Sequence, residues 1–249
     1  MRRYWIPADR MTATDAIISG DNFHHIVDVC RVQSGDKFEL LHGDGYAYLV
    51  EMGAIQKKQA IAKILEKRKI EPLRAPFVRL CVSVPKFQTF ETILEKAVEL
   101  GVAEVLPFIS DFSFVRSPQA EPLKGKRARF LKIIQSATEQ CGRGEIMPLA
   151  EPVRLEKLLE SFNRTTNAAG LFPYEGSGDT DIKAALTGFH SPSDVWLFVG
   201  SEGGFSSGEV ELFRANSMRP VTLGPQVLRV ETACLALVSV IKYHFDLMR

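Results

Sequence analysis

The sequence contains no apolar run that reaches the roughly 18 residues of a membrane-spanning helix, so no membrane partner is expected. Cysteine is scarce: Cys30, Cys81, Cys141 and Cys234 lie far apart and form no CxxC pair. That spacing suits reduced thiols and argues against a disulfide framework or a zinc site. There is no HExxH, and His24, His25, His42, His190 and His244 are scattered, so no metal is expected. No GxxxxGK followed by Ser or Thr is present, which excludes P-loop phosphate chemistry. The opening Met1 to Pro7 lacks the apolar stretch of a signal peptide, and a cytoplasmic protein is expected. Net charge is nearly absent too, since 31 basic and 30 acidic residues leave only +1. Attraction of a polyanion must therefore rest on a local patch rather than on the field of the whole chain.

What is there is the pattern of an α/β protein in two parts. Phe38 to Leu41, Tyr46 to Glu51 and Ala60 to Leu65 are β-leaning runs, with the turn signal His42-Gly43-Asp44-Gly45 between the first two. They predict a small β-barrel over residues 1–72. Glu66 to Phe77 is charged, holds Pro72 and Pro76, and has the composition of a linker or an exposed edge. Beyond it, over 73–249, strands alternate with helices, which predicts a largely parallel sheet. The expected strands are Val78 to Val84, Val105 to Ile109, Ala168 to Phe172, Val195 to Gly200 and Val221 to Leu223. The expected helices are Phe90 to Leu100, Lys124 to Cys141, Leu155 to Phe162, Gly208 to Ala215 and Thr232 to Leu247. From Arg116 to Arg143, seven basic residues face only Glu121 and Glu139. This patch reads either as a phosphate track or as a solvated helix face.

Three segments carry chemistry. The apolar strand Val195 to Val199 runs into Gly200-Ser201-Glu202-Gly203-Gly204, and Ser206 with Glu209 makes a capping box for the next helix. Such a loop lets backbone approach a ligand, though a tight strand-to-helix turn needs glycines as well. The segment Leu223 to Ala233 places Arg229 and Glu231 in apolar surroundings, where they either pair with each other or serve a site. Thr232 is placed to cap the last helix. Third, Glu139-Gln140 and Arg143 end the basic helix, either as site residues or as a helix terminus with a dipole-complementing arginine. A Rossmann-type turn is excluded, because Val78 to Val84 leads into Pro85-Lys86-Phe87-Gln88 without glycine.

Together these segments resemble the SPOUT class of RNA methyltransferases, and within it the ribosomal RNA small subunit methyltransferase E family. Lys86 followed by Glu91 to Val102 resembles the family's lysine and "EKATELGV" helix, and Glu139-Gln140 with Arg143 its "EQ..R". Gly200 to Gly204 resembles "GPEGG", and Leu223 to Ala233 resembles "LGPRILRTETA". His24 to Val32 is similar to the opening of the family's PUA-like domain. Ser201 stands where the family usually has proline, Phe112 where it usually has arginine, and the stretch from Arg143 to Pro148 is one residue longer.

The resemblance implies an N-terminal PUA-like barrel and a SPOUT domain with a C-terminal trefoil knot. It also implies a homodimer that methylates N3 of a uridine in 16S rRNA, within the small ribosomal subunit, with S-adenosyl-L-methionine as cofactor. The cofactor would be surrounded by Leu171, Val199, Gly200, Glu202, Gly203, Gly204, Leu223, Gly224, Leu228, Thr232 and Ala233. Arg143, Arg229, Glu202 and Glu231 would be catalytic, and Arg31, Lys86, Arg127, Arg129, Gln140 and Arg143 would meet RNA. Two other readings stay open: a SPOUT enzyme acting on another RNA position, and an RNA-binding relative without activity.

Overall fold

The computed structural model describes residues 1–175 and 180–248. They fall into two compact units, residues 1–72 with 135–146, and residues 73–134 with the described part of 147–249.

The first unit is built on β1 (Arg3–Trp5), β2 (Asp15–Ser19), β3 (Lys37–Leu41), β4 (Tyr46–Ile55) and β5 (Gln59–Lys69). These pair in the order β1-β3-β4-β5-β2, antiparallel except for β1 on β3. The period of two is plain in β5, where Ala60 and Ala62 are buried and Ile61 between them is exposed. Buried Ile18, Phe38, Leu40 and Met52 join them in one apolar core. At Gly53, beside a slip in the β4–β5 register, a side chain would meet the Ile61 carbonyl at 2.8 Å. A short helix, α1 (Asp21–Phe23), continues into a π-helical turn over His24–Val29.

The expected linker over Glu66 to Phe77 is shorter than its composition suggests. Residues 66–69 complete β5 and pair with β4, and β6 begins at Phe77. A strand end with solvent-facing charges has the same composition as a linker, because water accepts both.

The second unit holds one seven-stranded sheet of β6 (Phe77–Ser83), β7 (Glu104–Ile109), β8 (Val153–Arg154), β9 (Ala168–Pro173), β10 (Thr180–Asp181), β11 (Asp194–Val199) and β12 (Arg219–Thr222). The order is β10-β12-β9-β11-β6-β7-β8, and every pairing is parallel. The helices are α2 (Phe87–Glu99), α3 (Glu121–Cys141), α4 (Leu155–Arg164), α5 (Ile182–Thr187), α6 (Ser207–Ala215) and α7 (Val230–His244). In α2, buried Phe90, Ile93, Leu94, Ala97 and Val98 recur at helical spacing, and Gly101 at φ +68° follows its end. All six residues of β11 are buried, as a central parallel strand requires. Phe108, Phe172, Trp196, Phe198 and Phe213 form an aromatic core around it. The short β8, β10 and α5 have no counterpart in the sequence pattern, since elements this brief show no period.

The last turns of α3 group with the first unit. There Trp5 N–H donates to the Glu139 carboxylate at 2.9 Å, and the Arg3 guanidinium donates to the Gln140 carbonyl at 3.0 Å. Arg3 and Arg68 also donate to Glu39, each at 2.8 Å. Burial alone would raise the Glu39 carboxyl, but the hydrogen bonds from Arg68 and Arg3 outweigh it and hold the group below its ordinary value of 4.5. Its stabilisation is therefore complete above that value and disappears as the pH falls through the depressed one. Glu39→Gln is expected to destabilise the first unit by about 1.5–3 kcal/mol at neutral pH. In thermal unfolding followed by circular dichroism, the gap between wild type and variant should close as the buffer is taken well below pH 4.5.

Candidate active site

Parallel strands bring their carboxyl ends to one edge of the sheet, where α/β proteins bind ligands at a reversal of strand order. Here β11 lies between β9 and β6. The loops leaving β6, β9, β11 and β12 enclose a cavity of about 840 Å³. That is within the usual range for small-molecule sites.

The loop after β11 closes on itself. A side chain at Gly200 would come within 2.9 Å of the Gly204 backbone, so the closure depends on glycine. Gly204 N–H donates to the Ser201 carbonyl at 2.9 Å, and Gly204 adopts φ +69°. Ser201 is buried and its hydroxyl donates to the Phe112 carbonyl at 2.6 Å. Ser206 then caps α6 through the expected capping box with Glu209. Glu209 is itself buried, and its Oε1 accepts from Asp111 N–H at 2.9 Å. The Ser206 hydroxyl donates to Asp111 at 2.6 Å. The segment after β7 is thus fastened to the glycine loop on both sides.

The opposite wall is the segment after β12. Gly224 turns the chain at φ +122°, and its N–H donates to Thr222 Oγ1 at 3.2 Å. Helix α7 starts at Val230 with Arg229 as its N-cap residue. Thr232 therefore sits exposed in the first turn and is not the cap, which corrects the expected start of this helix. Arg229 and Glu231 both line the cavity. They form no ion pair with each other, and Arg229 is exposed rather than buried.

Of the residues expected around a cofactor, Val199, Gly200, Glu202, Gly203, Gly204, Leu223, Gly224, Leu228 and Ala233 line this cavity. Leu171 and Thr232 do not. Leu171 is fully buried inside β9, two residues before the strand ends, and the chain reaches the cavity only at Pro173, Tyr174 and Glu175. Lys86 also lines it, and its backbone N–H donates to Glu202 Oε1 at 3.1 Å. Glu175, Glu202 and Glu231 line the cavity together with Lys86 and Arg229, a mixed polar set among apolar Val199, Leu223 and Leu228.

Residues 73–242 match the family described as RNA methyltransferase domain, and residues 18–65 match RNA methyltransferase PUA domain. A ribosomal RNA small subunit methyltransferase E from Helicobacter pylori is 30% identical over 90% of this chain and 92% of its own. One of the same name from Bacillus subtilis is 28% identical over 100% of this chain and 99% of its own. The chain belongs to the ribosomal RNA small subunit methyltransferase E family. A solved methyltransferase from Legionella pneumophila, in complex with the bound cofactor SAM, superposes with TM-score 0.84 at 28% identity over 97% of this chain and 96% of its own.

Several residues expected at the site of this family member are engaged elsewhere. Arg127 donates to the Leu149 carbonyl at 3.0 Å and pairs with Glu151 at 3.0 Å. Arg129 is held by Glu91, with one bond of 2.7 Å. Two of the five cations on the helix, Arg127 and Arg129, are thus paired with carboxylates from other segments. Gln140 and Arg143 belong to the first unit, where Arg143 is buried and pairs with Glu145 at 3.3 Å. Burial lowers the Arg143 guanidinium from its ordinary value, against the opposing pull of Glu145. Arg31, also in the first unit, is exposed at φ +55°.

Sequence reading missed Tyr174 and Glu175, because nothing in that stretch marks a strand end facing a cavity. The closure at Gly200 is testable without any ligand. Gly200→Ala is expected to destabilise the protein by about 1–3 kcal/mol, because the obstacle to its methyl group is the Gly204 backbone. Gly208→Ala, where a side chain would meet only Ser206 Oγ at 4.0 Å, should stabilise α6 by up to about 1 kcal/mol. Urea unfolding of the two variants checks both signs.

Proposed function

We propose that this protein binds S-adenosyl-L-methionine in the cavity between the two loops and methylates N3 of a uridine in 16S rRNA. The observation that carries the reading is the meeting of Gly200–Gly204 with Leu223–Ala233 across one cavity of a family member. The site suits the cofactor chemically: apolar Val199, Leu223 and Leu228 can take an adenine, and Glu175, Glu202 and Glu231 can face cationic groups. When bound, the cofactor supplies an electrophilic methyl group. The chain must orient it and prepare the acceptor.

Uridine N3 carries a proton, and its lone pair is free only once that proton leaves. A guanidinium beside O2 or O4 stabilises the resulting anion, and Arg229 is the cation at the cavity suited to it. Glu202 already accepts from Lys86 N–H, whereas no hydrogen bond or ion pair engages the Glu231 carboxylate among the described residues. We assign Glu231 as the proton acceptor and Glu202 to orienting the loop after β6. Because N3 lies on the pairing edge, the base must be unpaired or flipped. The first unit, with its match to a PUA domain, would hold RNA outside the cavity. The trefoil knot, the homodimer, the cytoplasmic location and the small-subunit context belong to the same proposal and rest on the family resemblance.

N3-methyluridine blocks reverse transcriptase. The stop along 16S rRNA is expected to vanish in a strain lacking the gene and to return with the wild-type protein. A stop that persists without the protein would sink the assignment. Arg229→Ala should lower methyl transfer about 10²–10³-fold while calorimetry still reports cofactor binding. Light scattering should give twice the mass of one chain.

A further inference from the structure

Between β7 and α3 the chain alternates buried and exposed residues without forming a strand. Ser113 and Val115 are buried, whereas Phe112 is 48% and Phe114 52% exposed, and Arg116 is exposed after them. Two phenyl rings therefore stand outward, and the Arg116 guanidinium beyond them is exposed while donating to the Asp111 carbonyl. Exposed rings usually sit on mobile loops, but this backbone is pinned at each position. Asp111 N–H is held by Glu209, and the Phe112 carbonyl by the Ser201 hydroxyl. Ser113 Oγ lies 2.9 Å from Ser83 Oγ in a buried hydroxyl cluster with Ser110, and Phe114 N–H donates to the Val84 carbonyl at 2.8 Å.

The rings are also continuous with the cavity. A side chain on cavity-lining Gly203 would meet Phe112 Cβ at 2.8 Å, so Phe112 covers that glycine directly. Phe114 meets Phe87 edge-on at 5.4 Å between ring centres, and Phe87 follows Lys86, another cavity residue. A fixed apolar surface at a cavity mouth, flanked by exposed Arg116 and Lys86, matches single-stranded nucleic acid, which offers flat rings and phosphates together.

We propose that Phe112 and Phe114 form a stacking platform that receives the unpaired bases of the RNA substrate at the mouth of the cavity. This deepens the RNA methyltransferase reading and rests on it. Phe112 takes the base nearest the cavity, Phe114 its neighbour, and Arg116 and Lys86 meet the connecting phosphates. Stacking needs a π face, so leucine cannot replace phenylalanine here, whereas tryptophan can.

The test measures binding of the full chain to a single-stranded oligouridylate and to its abasic counterpart, with cofactor affinity as control. Phe112→Ala and Phe112→Leu are each expected to weaken oligouridylate binding about 5- to 150-fold, and Phe112→Trp to restore it. The abasic strand should bind wild type and Phe112→Ala alike. Equal oligouridylate binding by wild type and Phe112→Leu would overturn the platform. So would a change of oligomeric state in Phe112→Ala with RNA binding intact, since the rings would then cover a second copy of the chain. Because the assay reads RNA binding rather than methylation, a persisting stop on 16S rRNA would refute the assigned reaction without deciding the platform.

Discussion

The constraint on which the site depends is the uniform direction of the seven-stranded sheet. Since every ladder is parallel, the carboxyl ends of β6, β9, β11 and β12 share one edge. Loops far apart in sequence have no alternative but to gather there. The placement of β11 between β9 and β6 puts the glycine loop at the centre of that edge. Its six buried residues make the strand a rigid stem for a loop that closes on its own backbone.

Glu209 converts that local closure into a connection. One carboxylate oxygen holds the start of α6 through Ser206 N–H, and the other holds Asp111 N–H. A buried carboxylate is costly unless its oxygens are satisfied, and here backbone donors from two segments satisfy it. The same residue that begins a helix therefore fixes the segment carrying Phe112. Ser201 adds a second fastening to that segment, so the irregular residue of the glycine loop has a defined structural partner.

Much of this was legible in the sequence, for physical reasons that differ by element. β11, α2 and the capping box of α6 are local: their periods and spacings lie within a dozen residues, and sequence displays them directly. The glycines of Gly200–Gly204 and the charges of Leu223–Ala233 mark both segments in the sequence, but a tight turn or an ion pair fits them as well, and the family resemblance is what assigns them to one site. Contacts between distant segments were not legible. Arg127 and Arg129 read as free charge until Glu151 and Glu91 are brought beside them by the fold. The Asp111–Glu209 bond joins residues 98 apart and leaves no periodic trace. Thr232 is the residue type of a cap, yet the helix begins two residues earlier at Val230, and extended Arg229 occupies the N-cap position.

The first unit is not one continuous stretch of chain. Its β1 relies on the end of α3, where Glu139 accepts from Trp5 and Gln140 from Arg3, more than 130 residues later. Evolution usually moves modules about by joining uninterrupted segments. A fragment ending at residue 72 would lose both acceptors, and no single breakpoint in a gene can carry them along. The N-terminal sheet therefore depends on a stretch of chain that a cut after residue 72 would remove.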